Sequence, residues 1–281
     1  MADDVVTLLA IESATDMVGV ALVRDDGASA ERVHVGGRVH AELLIPSVEE
    51  VCAVSGCSIS DVDVIAVDLG PGLFTGLRVG VATAKALGQA LSVGLLGVSS
   101  LDILAAAAIQ RAVERSRADP ADPADPAGMA GMVVSVVDAR RGEVFAAAYH
   151  LDRADGSSDP VDPGTVRDDR SEPITPDALE AWLSELAAAH GRVTVVGDGA
   201  VRYHHQLAAH ASLDLEGAAE LSAPPPLALA HLALARLARG EVPVAAVDLV
   251  PDYRRPADAR INWEQRAPRA APKEASGNGP R

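Results

Sequence analysis

Aromatic side chains and cysteines are scarce in this chain. Aromatics make up only 2% of its 281 residues, so Ala, Val and Leu must fill the core, and a hydrophobic content of 48% is ample for that purpose. The two cysteines, Cys52 and Cys57, have no second pair nearby. A structural zinc site needs more ligands, so we interpret both residues as free thiols.

Long apolar runs are also missing. Lys85 and Gln89 interrupt the longest candidate, which therefore falls short of membrane-spanning length. The acidic start, residues 1–4, lacks the basic region of a signal peptide. The expected protein is soluble and cytoplasmic, without a membrane partner.

Basic residues are too few for direct nucleic-acid binding. The formal net charge is -16, and residues 1–110 contain five Lys or Arg against fourteen Asp or Glu. Only residues 252–281 reverse the sign, with seven basic and four acidic residues. Affinity for nucleic acid comes largely from neutralisation of phosphates, so any RNA would be contacted mainly through a partner.

No set of catalytic residues is recognisable. The eight histidines show no His-x-x-x-His spacing, which would place two metal ligands on one helix face, and there is no Gly-x-Ser-x-Gly elbow. The sequence therefore predicts neither a catalytic centre nor a metal site.

The run from Gly70 to Gly80, GPGLFTGLRVG, lies between a predicted strand (62–68) and a predicted helix ending near Leu91. This order places backbone N–H groups at a helix N-terminus, where phosphates bind. The pattern matches neither of the common phosphate-binding fingerprints, so a structural loop that brings the helix close to the sheet is favoured.

The same helix has small residues at every fourth position, Gly76, Gly80, Ala84 and Gly88. A second helix, predicted over 40–54, has an apolar face with Leu44, Val48 and Val51. Small residues permit close packing, either against a partner chain or within the chain's own lobe. For a partner surface, replacing Gly80 with Leu is expected to abolish pairing and leave the fold intact.

Three turns are candidates for a degenerate nucleotide site or an interface: the turn after the first strand, a hairpin in the second half, and a strand-to-helix turn. Their candidate residues are Ser13, Thr15, Asp138, Arg140, Arg141 and Gly199. Paired arginines favour planar anions. A solvated hairpin tip and ordinary turn chemistry explain the hairpin and the last turn equally well.

Both halves have the order strand, strand, strand, helix, strand, helix, which predicts a mixed-sheet α/β fold with two lobes. The second half contains a weak strand near 161–166, a helix over 177–190 capped by Thr175, and helices over 201–211 and 226–239. We divide the chain into an N-terminal lobe (1–115), a low-complexity insertion (116–131), a C-terminal lobe whose last helix packs back on the first (132–253) and a basic tail (254–281).

The long run 70–88 resembles the signature of the TsaB (YeaZ-like) family, the dimerisation subunit of bacterial tRNA threonylcarbamoyladenosine biosynthesis. Four shorter segments agree in order: 9–13, 40–46, 97–101 and 138–144. Glu12 stands where the family usually has Asp. The resemblance implies an actin-like ATPase fold (the ASKHA, ribonuclease H-like class) with two lobes.

The resemblance also implies a non-catalytic scaffold. TsaB-like proteins pair through helices of the N-terminal lobe with the catalytic TsaD-like subunit, and a TsaE-like ATPase joins them. The complex transfers a threonylcarbamoyl group to N6 of adenosine 37 in tRNAs that read ANN codons. Implied for this chain are no cofactor of its own, ATP or ADP at the complex interface, and self-pairing when alone. Alternatives are a nucleotide-dependent enzyme of the actin-like superfamily (a small-molecule kinase) and, more weakly, a TsaD-like or M22-type metallopeptidase.

Overall fold

The computed structural model describes residues 5–36, 40–118, 132–150, 167–170, 172–215 and 217–254. Most of the insertion, the predicted strand at 161–166 and the tail from residue 255 lie outside these ranges. The elements of the first half are β1 (Thr7–Glu12), β2 (Met17–Arg24), β3 (Ser29–Val35), α1 (His40–Ser55), β4 (Val64–Gly70), α2 (Phe74–Leu91), β5 (Gly94–Ser99) and α3 (Ser100–Ala118).

The second half repeats this order with shorter helices. Its elements are β6 (Met132–Arg140), β7 (Glu143–His150), β8 (Arg167–Asp169), α4 (Pro176–His190), β9 (Val193–Val196), α5 (Asp198–Arg202), α6 (His204–Leu207), β10 (Leu213–Asp214) and α7 (Pro226–Ala238). The predicted cap at Thr175 is present, since its side chain accepts a hydrogen bond from the N–H of Ala178. The predicted helix 201–211 is wrong, because the chain breaks at Tyr203 into α5 and α6.

The two sheets have the same topology. The first has the order β3-β2-β1-β4-β5 and the second the order β10-β9-β6-β7-β8. In each, the first three strands are antiparallel neighbours and the last two run parallel to the first. This duplicated arrangement confirms the predicted actin-like fold of two lobes.

Alternating residues of β1 divide the core into layers. Leu8 and Ala10 face the helices α3 and α7, which lie between the two sheets, while Leu9 and Ile11 face α1 and α2 on the outside of the first sheet. This is the period-two alternation expected of a strand that is buried on both faces. The outer face of the second sheet is covered by α4, α5 and α6.

A buried polar network crosses the layer between the lobes. Asp102 of α3 accepts a hydrogen bond from the Tyr149 hydroxyl of β7 (2.7 Å) and one from Arg236 of α7 (2.8 Å). The side chains of Asp102 and Arg236 are only 10% and 18% exposed. One carboxylate therefore links α3, the second sheet and α7.

We expect Asp102→Ala to lower the free energy of unfolding by about 3 kcal/mol, because it leaves a largely buried guanidinium without its counter-charge. Urea unfolding followed by circular dichroism measures this. The control is Arg192→Ala, which removes an exposed ion pair with Asp214 (3.0 Å) and should cost less than about 1 kcal/mol. Equal losses of unfolding free energy in the two variants would show that the Asp102 network contributes no more to stability than an exposed ion pair.

Candidate functional site

The Gly-rich loop between β4 and α2 is packed between two other segments. The N–H of Leu73 donates to the carbonyl of Ala14 (2.6 Å), and the N–H of Gly70 donates to Asp68 (2.6 Å). A side chain at Gly72 would collide with the Ala14 carbonyl, and one at Gly70 would lie 3.4 Å from the carbonyl of Asp252. These donors serve the protein's own backbone and side chains, so the loop has the structural role that the sequence favoured.

The small stripe of α2 faces inward. Gly76, Gly80, Ala84 and Gly88 are all buried. A Cβ at Gly80 would overlap the Ser13 hydroxyl, and one at Gly88 would lie 2.8 Å from Leu95. The stripe lets α2 approach β1 and β5 of its own lobe, so its assignment to a partner surface is wrong.

The apolar face of α1 has the same role. Leu44, Val48 and Val51 are at most 4% exposed and pack against the first sheet together with α2. Their assignment as partner-binding residues is also wrong, because the lobe's own core needs this face. The exposed side of the two helices carries a different set of residues, including Ile45, Val54 and Phe74, which are 44%, 61% and 40% exposed.

The burial of Gly80 reverses the expectation for its replacement. We expect Gly80→Leu to destabilise the fold by at least about 3 kcal/mol, since the new side chain has no space beside Ser13 and Ile11. Thermal unfolding measures the loss. A Gly80→Leu variant that melts like the wild type would show that α2 does not pack closely on β1.

The β1–β2 turn and the β6–β7 hairpin meet where the two lobes face each other, a place that we call the interlobe cleft. Arg140, on the β6–β7 hairpin, donates to Asp16 of the β1–β2 turn (3.2 Å). It also donates to Asp138 (3.2 Å), which accepts a second bond from Arg202 (3.1 Å). The cationic groups that would hold an anion are therefore paired with carboxylates of the chain itself.

The strand-to-helix turn after β9 also has its polar groups engaged within the chain. The N–H of Asp138 donates to Asp198 (2.8 Å). Burial raises the pKa of Asp198 to about 6, and this hydrogen bond opposes the rise. Side chains at Gly197 or Gly199 would meet the carbonyl of Val136, so these glycines permit close packing rather than an open recess.

The structure brings together only some of the candidate cleft residues. Asp138 and Arg140 form the ion pairs described above, and Gly199 lies beneath them in α5. Ser13 points toward α2, where its hydroxyl donates to the carbonyl of Gly76 (3.0 Å). Thr15 is buried and accepts from the N–H of Met17 (3.2 Å), and Arg141 is at the exposed hairpin tip with a φ of 59°.

A buried pair of carboxyl groups beneath the Gly-rich loop was not found from the sequence. Glu12 and Asp68 are 0% and 1% exposed, and one oxygen of each carboxyl group, Glu12 Oε2 and Asp68 Oδ2, accepts no hydrogen bond from an N–H or hydroxyl group. Through its other oxygen, Glu12 accepts from the N–H of Ala14 (2.8 Å), and Asp68 accepts from the Ser100 hydroxyl (2.6 Å). Burial, followed by repulsion from Asp68, raises the pKa of Glu12 well above its ordinary value. The raised pKa favours the protonated form of Glu12, which can donate a hydrogen bond to the Asp68 carboxylate.

This proton makes stability depend on pH. The unfolded chain releases it above the ordinary Glu pKa of 4.5, whereas the folded chain keeps it. The free energy of unfolding therefore falls as the pH rises from that value toward the raised pKa of the folded state. We expect Glu12→Gln to flatten this dependence and to match or exceed wild-type stability at pH 8, because the amide supplies the N–H donor without titrating.

Urea unfolding at several pH values from 4.5 to 8 measures the effect. The matched control is Glu49→Gln on the exposed side of α1, which should keep the wild-type slope. A Glu12→Gln variant with the wild-type slope would mean that the pair holds no proton.

Across the described ranges, no three His, Cys, Asp or Glu side chains come close enough together to bind a metal ion. Within the same ranges, none of the helices combines the length and apolar character needed to cross a bilayer.

Several known proteins are similar to this chain. The model of a family described as TsaD, tRNA N6-adenosine threonylcarbamoyltransferase, matches residues 34–159. Over 145 residues the chain is 32% identical to the tRNA threonylcarbamoyladenosine biosynthesis protein TsaB of Escherichia coli, covering 52% of this chain and 55% of that protein. TsaB of Bacillus subtilis is 27% identical over 262 residues, which cover 92% of this chain and 97% of that protein.

Uncharacterized mycobacterial proteins are also similar, at 38% identity. The match covers 41% of the Mycobacterium leprae protein and 59% of the Mycobacterium tuberculosis protein, so the chain spans about half the length of these curated relatives. The crystal structure of a Pseudomonas aeruginosa protein with similarity to peptidase YeaZ superposes with a TM-score of 0.65 at 28% identity. The superposition covers 89% of this chain and all of the Pseudomonas aeruginosa chain. The sequence signature, the duplicated sheet and these matches show that the chain is similar to the TsaB/YeaZ proteins.

Proposed function

We propose that this chain acts in tRNA threonylcarbamoyladenosine biosynthesis as a non-catalytic subunit that binds and activates a TsaD-like catalytic subunit. The printed names of the TsaB relatives support the pathway. The surface of α2 supports the role. Its exposed residues are Phe74, Thr75, Arg78, Ala82, Ala86, Gln89 and Ala90, of which only Arg78 is charged, and Lys85 beside them is half-buried.

This composition is unusual for a solvent-facing helix. A surface helix normally presents charged and polar residues to water, whereas the centre of an interface is depleted in charge. Arg78, Ala82, Ala86 and Ala90 recur every fourth residue and form an outer stripe on the side opposite the buried one. The alanines allow the backbone of a partner to approach closely. We therefore assign the partner surface to this outer stripe with the exposed apolar residues of α1, Ile45 and Val54.

The acidic charge of the chain fits this role. With a net charge of -16 it repels phosphates, so in the proposed complex the TsaD-like subunit and a TsaE-like ATPase make most of the tRNA contacts. The transfer to N6 of adenosine 37 is then carried out by the TsaD-like subunit. When the TsaD-like subunit is absent, the outer stripe also allows two copies of the chain to pair.

A nucleotide-dependent enzyme is the second candidate, since Arg140 and Arg202 converge in the cleft. Both are engaged by Asp138, so ATP would have to displace these pairs. Calorimetry with ATP and Mg²⁺ tests this: we expect no binding by the chain alone, and binding at physiological ATP concentrations that is lost in Arg140→Ala would favour the enzyme. Nucleotide at the interface of the complex is compatible with the scaffold proposal.

We expect Ala82→Arg to weaken pairing with the TsaD-like protein of the same genome by at least about 100-fold, because a long side chain would occupy the centre of the outer stripe. The fold should be unaffected, since Ala82 is exposed and Arg is a good helix former. Light scattering on a sizing column detects the one-to-one complex, and calorimetry gives its Kd.

The control is Ala181→Arg, an equally conservative change at an exposed position of α4 in the other lobe. It should pair like the wild type. Absence of any complex with the wild-type chain, with and without nucleotide and the TsaE-like protein, would refute the scaffold function. Wild-type pairing by the Ala82→Arg variant would instead place the interface elsewhere.

A further inference from the structure

The segment after α7, residues 241–254, crosses from the interlobe layer to the outer side of the first sheet. We call it the C-terminal strap. Val244 forms two backbone hydrogen bonds with Leu95 of β5 (2.9 and 2.8 Å). Leu249 is 4% exposed and packs in the same core as α1 and α2. The strap therefore runs along the β5 edge of the sheet, and its Leu249 packs on the face that these two helices cover.

The end of the strap is fixed to the other lobe. Both terminal nitrogens of Arg254 donate to the Asp169 carboxylate of β8 (2.6 and 2.8 Å), and its Nε donates to Asp252 (2.7 Å). The N–H of Asp252 donates to the carbonyl of Leu69 (2.8 Å). The Arg254 side chain is only 9% exposed, and a bidentate pair of this kind is strong and directional. Tyr253 is thus held between two anchored residues.

Tyr253 is held against the start of α2. Its ring centroid lies 5.2 Å from that of Phe74, and the Arg78 guanidinium lies 3.8 Å from the same Phe74 centroid. Phe74 and Tyr253 are 40% and 43% exposed. In a chain with 2% aromatic residues, whose other described rings are mostly in the core, two exposed rings beside an arginine stand out.

Tyrosine and arginine are enriched among residues that dominate the binding energy of interfaces. None of the described carboxylates pairs with Arg78, which leaves its charge available on an otherwise acidic protein. Arg78 is also the first residue of the outer stripe, so the three side chains continue the partner surface proposed above. Further exposed apolar residues of the strap, Val247 and Val250, are 77% and 68% exposed.

We propose that Tyr253, Phe74 and Arg78 form the anchor of the partner interface, so that the surface extends from α2 onto the C-terminal strap. This inference rests on the proposed function, and the occupant is the TsaD-like protein. That partner would present an apolar recess for the two rings and a carboxylate opposite Arg78. Arg254 is a positioning residue, because it fixes the strap without facing the partner.

The test is calorimetry of the full chain with the TsaD-like protein of the same genome. We expect Tyr253→Ala and Phe74→Ala each to raise Kd by about 30-fold or more. Tyr253→Phe should stay within about 2-fold of the wild type, because the ring and not the hydroxyl makes the contact. Val35→Ala, at an 82% exposed position of β3, is the control for loss of an exposed apolar side chain and should leave Kd unchanged.

The alanine variants remove a packed ring, so a weaker complex could reflect loss of the fold. Arg78→Glu tests the same surface by changing only an exposed head group, and it should also raise Kd by about 30-fold or more. If the wild-type chain does not bind the TsaD-like protein, the proposed function fails and the inference fails with it. If the wild type binds and the Tyr253→Ala, Phe74→Ala and Arg78→Glu variants bind within about 2-fold of it, only the inference is wrong. Loss of self-pairing in these variants, with unchanged binding to the TsaD-like protein, would overturn the occupant proposed here and point to a second copy of the chain.

Discussion

The close approach of α2 to the first sheet is the constraint on which the rest of the structure depends. Gly80 leaves no room for a side chain beside Ser13, and Gly72 leaves none beside Ala14. The helix and the Gly-rich loop are therefore fixed to the β1–β2 turn. That contact uses the inner side of the helix and the N–H group of Leu73, so only the outer side of α2 is available for binding another molecule.

The polar groups between the lobes are also engaged within the chain. Where a phosphate-binding protein would leave N–H groups and cations free, this chain directs them to its own carbonyls and carboxylates. Glu12 and Asp68 place two buried acids beneath the loop, and Asp138 draws Arg140 and Arg202 together. These polar groups are part of the internal support of the fold.

Local patterns predicted most elements, the Thr175 cap and the duplicated order of strands and helices, because periodicity and turn chemistry are properties of neighbouring residues. They did not show which side of α2 faces the sheet. The helix has small residues on two opposite sides, one with Gly76 and Gly80 and the other with Ala82 and Ala86, and only contacts with distant segments distinguish them. The Glu12–Asp68 pair and the strap contacts were missed for the same reason, since their partners are far apart in the chain.

The strap has a mechanical consequence. The ion pairs Arg254–Asp169 and Arg140–Asp16 join the two lobes at separate places, and α3 and α7 fill the layer between them. Hinge motion between the lobes would have to break both pairs. Contacts of this kind oppose hinge motion, and the less a protein moves before it binds, the less conformational entropy it loses on association.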